Sequence, residues 1–148
     1  MNLSEFLTKF KAFNFSDDII STREISTDEI VGISFFAASK YLQNPHNLMI
    51  LAPTLFVAEQ IRNELYSLVG KENIIYVPAE ELVMVEYAAA SSDILSDRIY
   101  GLYDALNAKN KILVTNVAAA ARFYPKKELF LKNIFSLKVG DKVDIQNL

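Results

Sequence analysis

The 148-residue chain has no cysteine, no tryptophan, a single histidine, four glycines and four prolines. Without cysteine it can form no disulfide, hold no thiolate-bound metal and offer no thiol nucleophile. His46 alone cannot build a multi-histidine metal site. It would also be the only histidine available as the base of a Ser-His-Asp triad. The low glycine and proline content excludes collagen-like and low-complexity classes.

The chain also has only a small excess of one sign of charge over the other. Fifteen Lys and Arg stand against eighteen Asp and Glu, which gives a net charge of −3. Sequence-independent DNA binding needs an excess of positive charge to contact the phosphates, and this balance does not provide one. The uncharged apolar stretches 30–39 and 47–58 are shorter than the ~20 residues of a spanning helix. The first residues also lack a signal-peptide cleavage site, so we expect a cytoplasmic protein without a membrane partner.

The chain has the composition of about one globular domain, with 51% hydrophobic and 22% charged residues. Short apolar runs alternate with amphipathic segments, which predicts right-handed βαβ units around a parallel sheet. Strands are predicted at 19–25, 47–52, 73–77, 111–115 and 134–139. Helices are predicted at 3–13, from the capping box at 26–29 to Gln43, from Thr54 to Gly70, from Ser91 or Ser92 onward, and at 116–123 and 125–133.

Three of these segments carry more detailed predictions. The continuous apolar run 47–52 is typical of a central strand buried on both faces. The helix after Thr54 should bury Leu55, Ala58, Ile61, Leu65 and Leu68. The helix that starts at Ser91 or Ser92 should have Leu95, Ile99, Leu102 and Leu106 on one face, the spacing that is typical of a core-facing stripe.

A parallel α/β domain raises the question of nucleotide binding. A P-loop needs glycines and a lysine between its strand and helix, so that backbone amides and a cation can hold the phosphates. The corresponding stretch here, 24–32, has no glycine before Gly32 and no lysine. It carries Asp28 and Glu29 where phosphates would sit, and their charges would repel an anionic ligand. This turn therefore should not bind a nucleotide.

Other charged residues form weaker patterns. Glu80 and Glu81 follow a predicted strand as magnesium-binding acids can, but Pro78 intervenes, and we expect them to line a solvated loop. Asp93 and Asp97 are four residues apart, which is typical of an exposed helix face, and Arg98 could pin a neighbouring loop. The lysines at 109, 111, 126 and 127 form small basic spots beside acids. We assign no catalytic, cofactor-binding or metal-binding residue.

Several segments together resemble the N-terminal module of bacterial transcription-repair coupling factors. Pro78 to Ile99 follows that family's order of a strand, an acidic and apolar stretch, an Ala/Ser pair and an Arg-containing helix. Ile112 to Leu129 is similar to the next strand and helix of that family. Leu137 to Asp141 is similar to the segment that introduces its next domain. Leu51-Ala52-Pro53 also fits. The resemblance covers most of the chain from about residue 19.

The resemblance implies a fold and a function. The fold would be α/β and RecA-like with a degenerate P-loop, a three-layer parallel sheet with flanking helices. Residues 1–135 would form this UvrB-like domain, and 136–148 would begin a truncated following domain. The parent would be an ATP- and Mg-dependent DNA translocase that releases stalled RNA polymerase and recruits UvrA. This fragment would be a non-enzymatic scaffold without a cofactor, which contacts other domains of its own chain and holds the parent inactive.

Two alternatives remain open from the residues. One is a small nucleotide-binding hydrolase with an unrecognised P-loop, which the βαβ pattern and the Glu80/Glu81 pair would support. The other is a UvrB-like binder of damaged DNA. The stretch 77–91 is too short for the long aromatic hairpin that UvrB uses, and the net charge argues against DNA binding.

Overall fold

A computed structural model describes residues 29–81 and 91–134 of the chain. The elements in chain order are α1 (Ile30–Gln43), β1 (Leu48–Ala52), α2 (Leu55–Val69), a 3-10 turn (Lys71–Asn73), β2 (Ile74–Val77), α3 (Ser92–Ala105), β3 (Ile112–Asn116), α4 (Val117–Ala120) and α5 (Lys127–Lys132). The predicted helix at 3–13 and strand at 19–25 lie outside the described residues, as does the strand at 134–139 apart from its first residue.

The three strands form one parallel sheet in the order β1-β3-β2. Leu48 pairs with Ile112 on one side of β3, and Ile74 pairs with Ile112 on the other. The predicted α/β class with a parallel sheet and flanking helices is therefore confirmed. The central strand of the described sheet is β3, which is buried at four of its five positions.

Helix α2 begins and ends where the sequence predicts. Thr54 accepts a hydrogen bond from the Val57 N–H (3.2 Å), which satisfies one of the free amides of the first turn. Gly70 ends the helix with φ of 87°, a backbone conformation that favours glycine. The predicted stripe is confirmed, since four of its members are buried and the fifth, Leu55, packs beside them.

The hydrophobic core lies between the sheet and the pair of helices α1 and α2. Alternate residues of β1 and β3 point into it, and the helices contribute small and aliphatic side chains: Ala37, Ala38, Tyr41, Ala58, Ile61, Leu65, Ile112 and Val114 are among its buried members. The Tyr41 hydroxyl lies 2.6 Å from the Asn110 carbonyl oxygen and 3.1 Å from Asn73 Oδ1. It thus ties α1 to the turns that precede β2 and β3.

Three local predictions differ from the structure. β1 is an edge strand of the described sheet, and Met49 and Leu51 are 57% and 52% exposed, because no described helix covers their face. α1 begins at Ile30, with Glu29 still extended and making no side-chain cap, so Glu29 is not the helical member of a capping box. Within α3, Leu95 and Ile99 are exposed, while Gly101 is buried.

No helix in the two described ranges is long and apolar enough to cross a membrane.

A cluster around the buried Tyr76 joins α2 to β2. The Arg62 guanidinium lies 4.3 Å from the centre of the Tyr76 ring, a cation–π distance, and 3.7 Å from the Asp97 carboxylate of α3. The Tyr76 hydroxyl is buried, and no residue within 29–81 and 91–134 forms a hydrogen bond with it. Burial raises the pKa of the Tyr76 hydroxyl well above its ordinary value, and the negative charge of Glu59 raises this pKa further.

Replacing Tyr76 with phenylalanine should therefore stabilise the protein by about 1 kcal/mol, because it removes an unsatisfied buried hydroxyl and keeps the ring under Arg62. The gain should grow above about pH 10, where the unfolded tyrosine loses a proton that the folded one retains. Urea unfolding of both proteins at neutral and alkaline pH measures this. Tyr41 and Tyr124 also have raised pKa values, so only the difference between the proteins reports Tyr76. A difference that does not change with pH would contradict the prediction.

Candidate functional site at the carboxyl ends of the strands

The carboxyl ends of the parallel strands meet at one edge of the sheet, where ligands of α/β proteins usually bind. β1 leads there into Pro53 and Thr54, β2 into the segment 78–81, and β3 into α4. The helix N-termini that begin near such an edge have free N–H groups and a partial positive charge, which suit phosphates. The groups that occupy these N-termini therefore decide what the edge can bind.

The N-terminus of α2 is occupied by a carboxylate of the chain itself. Glu81 Oε1 accepts a hydrogen bond from the Leu55 N–H at 2.7 Å, beside the bond from Val57 to Thr54. The negative charge of Glu81 also interacts favourably with the helix dipole. This carboxylate bonds one of the N–H groups that helix geometry leaves without a partner at the start of α2.

Glu80 serves the next helix in the same way. Its Oε1 accepts a hydrogen bond from the Ser91 N–H at 2.8 Å, and Ser91 directly precedes α3. The two adjacent glutamates thus diverge to two helix N-termini and do not converge on a common point. No group of three His, Asp or Glu side chains within 29–81 and 91–134 could hold a metal ion.

The segment that carries both glutamates is fixed by β3. Asn116 is fully buried, and its side-chain amide bonds both backbone groups of Ala79: Oδ1 accepts from the N–H (3.0 Å) and Nδ2 donates to the carbonyl (2.8 Å). Thr115 Oγ1 donates to the Val77 carbonyl at 2.7 Å. The side chain of Asn116 thus continues the sheet pairing beyond Val77 and holds Glu80 and Glu81 in place.

The structure disperses the other charged residues of the sequence patterns. Asp97 pairs with Arg62 of α2 (3.7 Å), and Asp93 lies beside the Ser92 hydroxyl (3.5 Å), so each of the two has a different neighbour. The charge of Arg98 acts on Tyr124, in the loop after α4, and lowers the pKa of that hydroxyl less than burial raises it. His46 is exposed and its Nδ1 lies 2.6 Å from the Asn44 carbonyl oxygen.

The lysines lie at two other places. Lys109 and Lys111 border an open depression of about 450 Å³ at the amino ends of β2 and β3, together with Lys71, Glu72 and Asp104. A smaller, apolar depression of about 180 Å³ lies between β1 and the end of α3. Lys126 and Lys127 are exposed after α4. Asp28 falls outside the described residues, and Glu29 directly precedes α1.

Sequence reasoning missed the two capping roles of the glutamates. The signal that could have found them is their position, since both lie within four residues after the end of a strand of a parallel sheet. Helices after neighbouring strands begin at that same edge, so a carboxylate there lies within reach of their free N–H groups.

Comparisons with curated proteins relate the chain to bacterial transcription-repair-coupling factors. It is 26% identical over 124 residues to that of Bacillus subtilis (strain 168), a match that covers 80% of this chain and 10% of the relative. It is 21% and 20% identical over 108 residues to those of Staphylococcus aureus strains MRSA252 and USA300, covering 73% of this chain and 9% of each relative.

The chain thus spans about a tenth of the length of these relatives. No family model matches it, and no solved structure matches it significantly. The curated relatives agree with the resemblance carried by the segments Pro78 to Ile99 and Ile112 to Leu129, and the chain is accordingly a homologue of the N-terminal region of bacterial transcription-repair-coupling factors.

Proposed function

We propose that this chain is a non-catalytic scaffold and interaction domain of a transcription-repair-coupling factor, with a RecA-like sheet whose nucleotide site has degenerated. The parent protein would use ATP and Mg²⁺ in motor domains elsewhere to act on RNA polymerase stalled on DNA, and would recruit UvrA. This domain would contact other domains of that chain and have no cofactor of its own.

One observation supports the non-catalytic role above all others. Glu81 and Glu80 bond to the amides at the starts of α2 and α3, where a phosphate-binding domain would leave amides free for its ligand. A nucleotide phosphate at this edge would have to displace a carboxylate and approach the other one. Like charges so close to each other disfavour binding.

The direct test is calorimetry of the 148-residue chain with ATP and Mg²⁺. We expect no heat of binding for the wild type or for Glu81→Ala. The variant should instead lose about 1 kcal/mol of stability in urea unfolding, because the Leu55 amide loses its partner and the helix dipole its counter-charge. Glu64→Ala, which removes a carboxylate from the middle of α2, is the matched control and should change stability less.

Micromolar binding of ATP to the wild-type chain would refute the proposal and favour the hydrolase alternative. Binding that appears only in Glu81→Ala would mean that the edge retains a phosphate site that the carboxylate blocks, which would refute a fully degenerate site.

A further inference from the structure

Strand β1 has a free edge among the strands that the structure describes. It pairs with β3 on one side, and the Leu48 N–H donates to the Lys111 carbonyl across that pair (3.0 Å). The backbone groups of successive residues alternate between the two sides of a strand. Those of Met49 and Leu51 therefore point away from β3, to a side where no described strand pairs with them.

This free edge has none of the features that protect natural sheet edges. Edge strands usually carry charged side chains, a proline or a bulge, which keep other strands from pairing with them. β1 has the sequence LMILA, without charge or proline, and its pairing with β3 is regular over all five residues. Such a sequence is typical of an interior strand, so we expect a further strand beside β1.

The helices indicate on which side of β1 the preceding strand of the chain lies. Connections between parallel strands of one sheet are right-handed in about 98% of cases. Helix α2 leads from β1 to β2, and α1 packs beside α2 in the same core, on the same face of the sheet. A strand that precedes α1 therefore lies on the side of β1 opposite to β2, which is the side of the free edge.

The connection through α3 agrees with this rule. It runs from β2 back to β3, in the reverse direction across the sheet, so the same hand requires α3 on the opposite face. Leu48 and Ile50 pack against the core, and Met49 between them points to the other face. Ala105, at the end of α3, borders the depression that Met49 lines. The two described connections therefore have the same hand.

We propose that residues 19–25, which lie outside the described residues, form a strand that pairs in parallel with the free edge of β1. Their sequence, IISTREI, contains three isoleucines and a threonine, residue types that favour strands. Residues 26–29 separate this segment from the start of α1, and a strand and its following helix are usually joined by about two to six residues. The segment thus has the position in the chain that the handedness requires.

The added strand would extend the carboxyl edge of the sheet. Parallel strands end at the same edge, so the turn 26–29 would bring Asp28 and Glu29 to the edge where Glu80 and Glu81 bond to helix N-termini. The order of the strands would become 19–25, β1, β3, β2. This inference depends on the geometry of the sheet and not on the proposed function.

Hydrogen exchange of the 148-residue chain, followed by NMR, tests the pairing at single amides. We expect the Met49 and Leu51 amides, which face the free edge, to be protected as strongly as the Ile50 amide, which faces β3. Proline cannot donate to a neighbouring strand. Of Ser21→Pro and Thr22→Pro, the variant that removes an N–H facing β1 should reduce the protection of Met49 and Leu51 by about tenfold or more. The other variant should reduce it less.

Ser16→Pro is the matched control, because it adds a proline before the proposed strand. It should leave the Met49 and Leu51 amides protected. The Ile50 amide should stay protected in every variant, since β3 remains its neighbour, and it reports that the domain is folded.

Cross-linking tests the pairing without proline. The chain has no cysteine, so a disulfide can only join two introduced ones. Met49→Cys, combined in turn with a cysteine substitution at each of positions 19–23, should form disulfides within one chain at alternate positions. Side chains alternate between the two faces of a strand, and paired strands bring Cα atoms within disulfide range. Ser67→Cys, at an exposed position of α2, should form none with the same five positions.

Four results would overturn the proposal. Two are fast exchange of the Met49 and Leu51 amides in the wild type, and protection that neither proline variant changes. The third is a set of cross-links without the alternation of a strand. The fourth is protection that rises with protein concentration, or disulfides that join two chains, which would assign the edge to a second copy. None of these results bears on ATP binding, which tests the proposed function separately.

Discussion

Replacing Gly101 with alanine is expected to destabilise the protein by about 3 kcal/mol, although alanine is the better helix former by about 1 kcal/mol. Gly101 is the buried residue of α3, and its backbone lies directly against β2. A Cβ added there would come within 1.9 Å of the Tyr76 carbonyl oxygen and 3.0 Å of Val77 Cγ2. Because the first of these atoms belongs to the backbone, the whole helix would have to move away from the strand.

Urea unfolding measures this effect, and Gly32→Ala provides the matched control. Gly32 is an exposed residue of α1, so alanine there should leave stability unchanged or raise it slightly through helix propensity. A stable Gly101→Ala variant would show that α3 does not pack its backbone on β2. Because the displaced helix would also shift Asp97 away from Arg62, the variant should expose Tyr76, which near-ultraviolet circular dichroism can detect.

The packing of α3 shows why its orientation was predicted wrongly. Apolar periodicity selected the face with Leu95 and Ile99, since large hydrophobic side chains usually point into a core. The helix instead approaches β2 through Gly101. Such close contact between two backbones is possible only where no side chain lies between them. The side chains of Leu95 and Ile99 consequently remain exposed.

The strands and α2 could be predicted because each depends on local patterns. Continuous apolar runs indicated all three described strands to within one residue at each end, and Thr54 and Gly70 marked the ends of α2. The lateral order of strands depends instead on contacts between segments distant in the chain. β1 therefore had the sequence of a central strand but lies at the edge of the described sheet, with β3 at its centre.

From the sequence, Asp28 and Glu29 near the start of the predicted helix at 26–43 argued against phosphate binding at that turn. This stays a prediction, because Asp28 lies outside the described residues. The carboxylates that do occupy helix N-termini are Glu80 and Glu81, whose partners lie 11 and 26 residues away. Several helices begin at the carboxyl edge of the sheet, and a carboxylate that follows a strand could bond to any of them. The order of the strands determines which helix start is near, and no local sequence pattern contains that order.

Replacing Asn116 with aspartate should have the largest effect at neutral pH, a loss of about 4 kcal/mol. The amide of Asn116 donates to one backbone group of Ala79 and accepts from the other in a site closed to water. An ionised carboxylate can only accept, so it would face the Ala79 carbonyl oxygen with a negative charge. Burial and this repulsion would raise the pKa of the new carboxyl above the ~3.9 of an unfolded aspartate.

The sign of the pH dependence follows from that raised pKa. Between the unfolded and folded values the native state holds a proton that the unfolded state has released, so stability falls as the pH rises through this window. Below it the carboxyl is neutral, can donate to the Ala79 carbonyl, and should recover much of the loss. Asn116→Ala, which lacks both bonds, should lose about 2–3 kcal/mol at every pH, and Asn107→Asp at an exposed turn should change little. Urea unfolding at about pH 4 and pH 7 separates these cases, since an Asn116→Asp variant equally unstable at both would mean that the amide does not hold Ala79, and with it Glu80 and Glu81, in place.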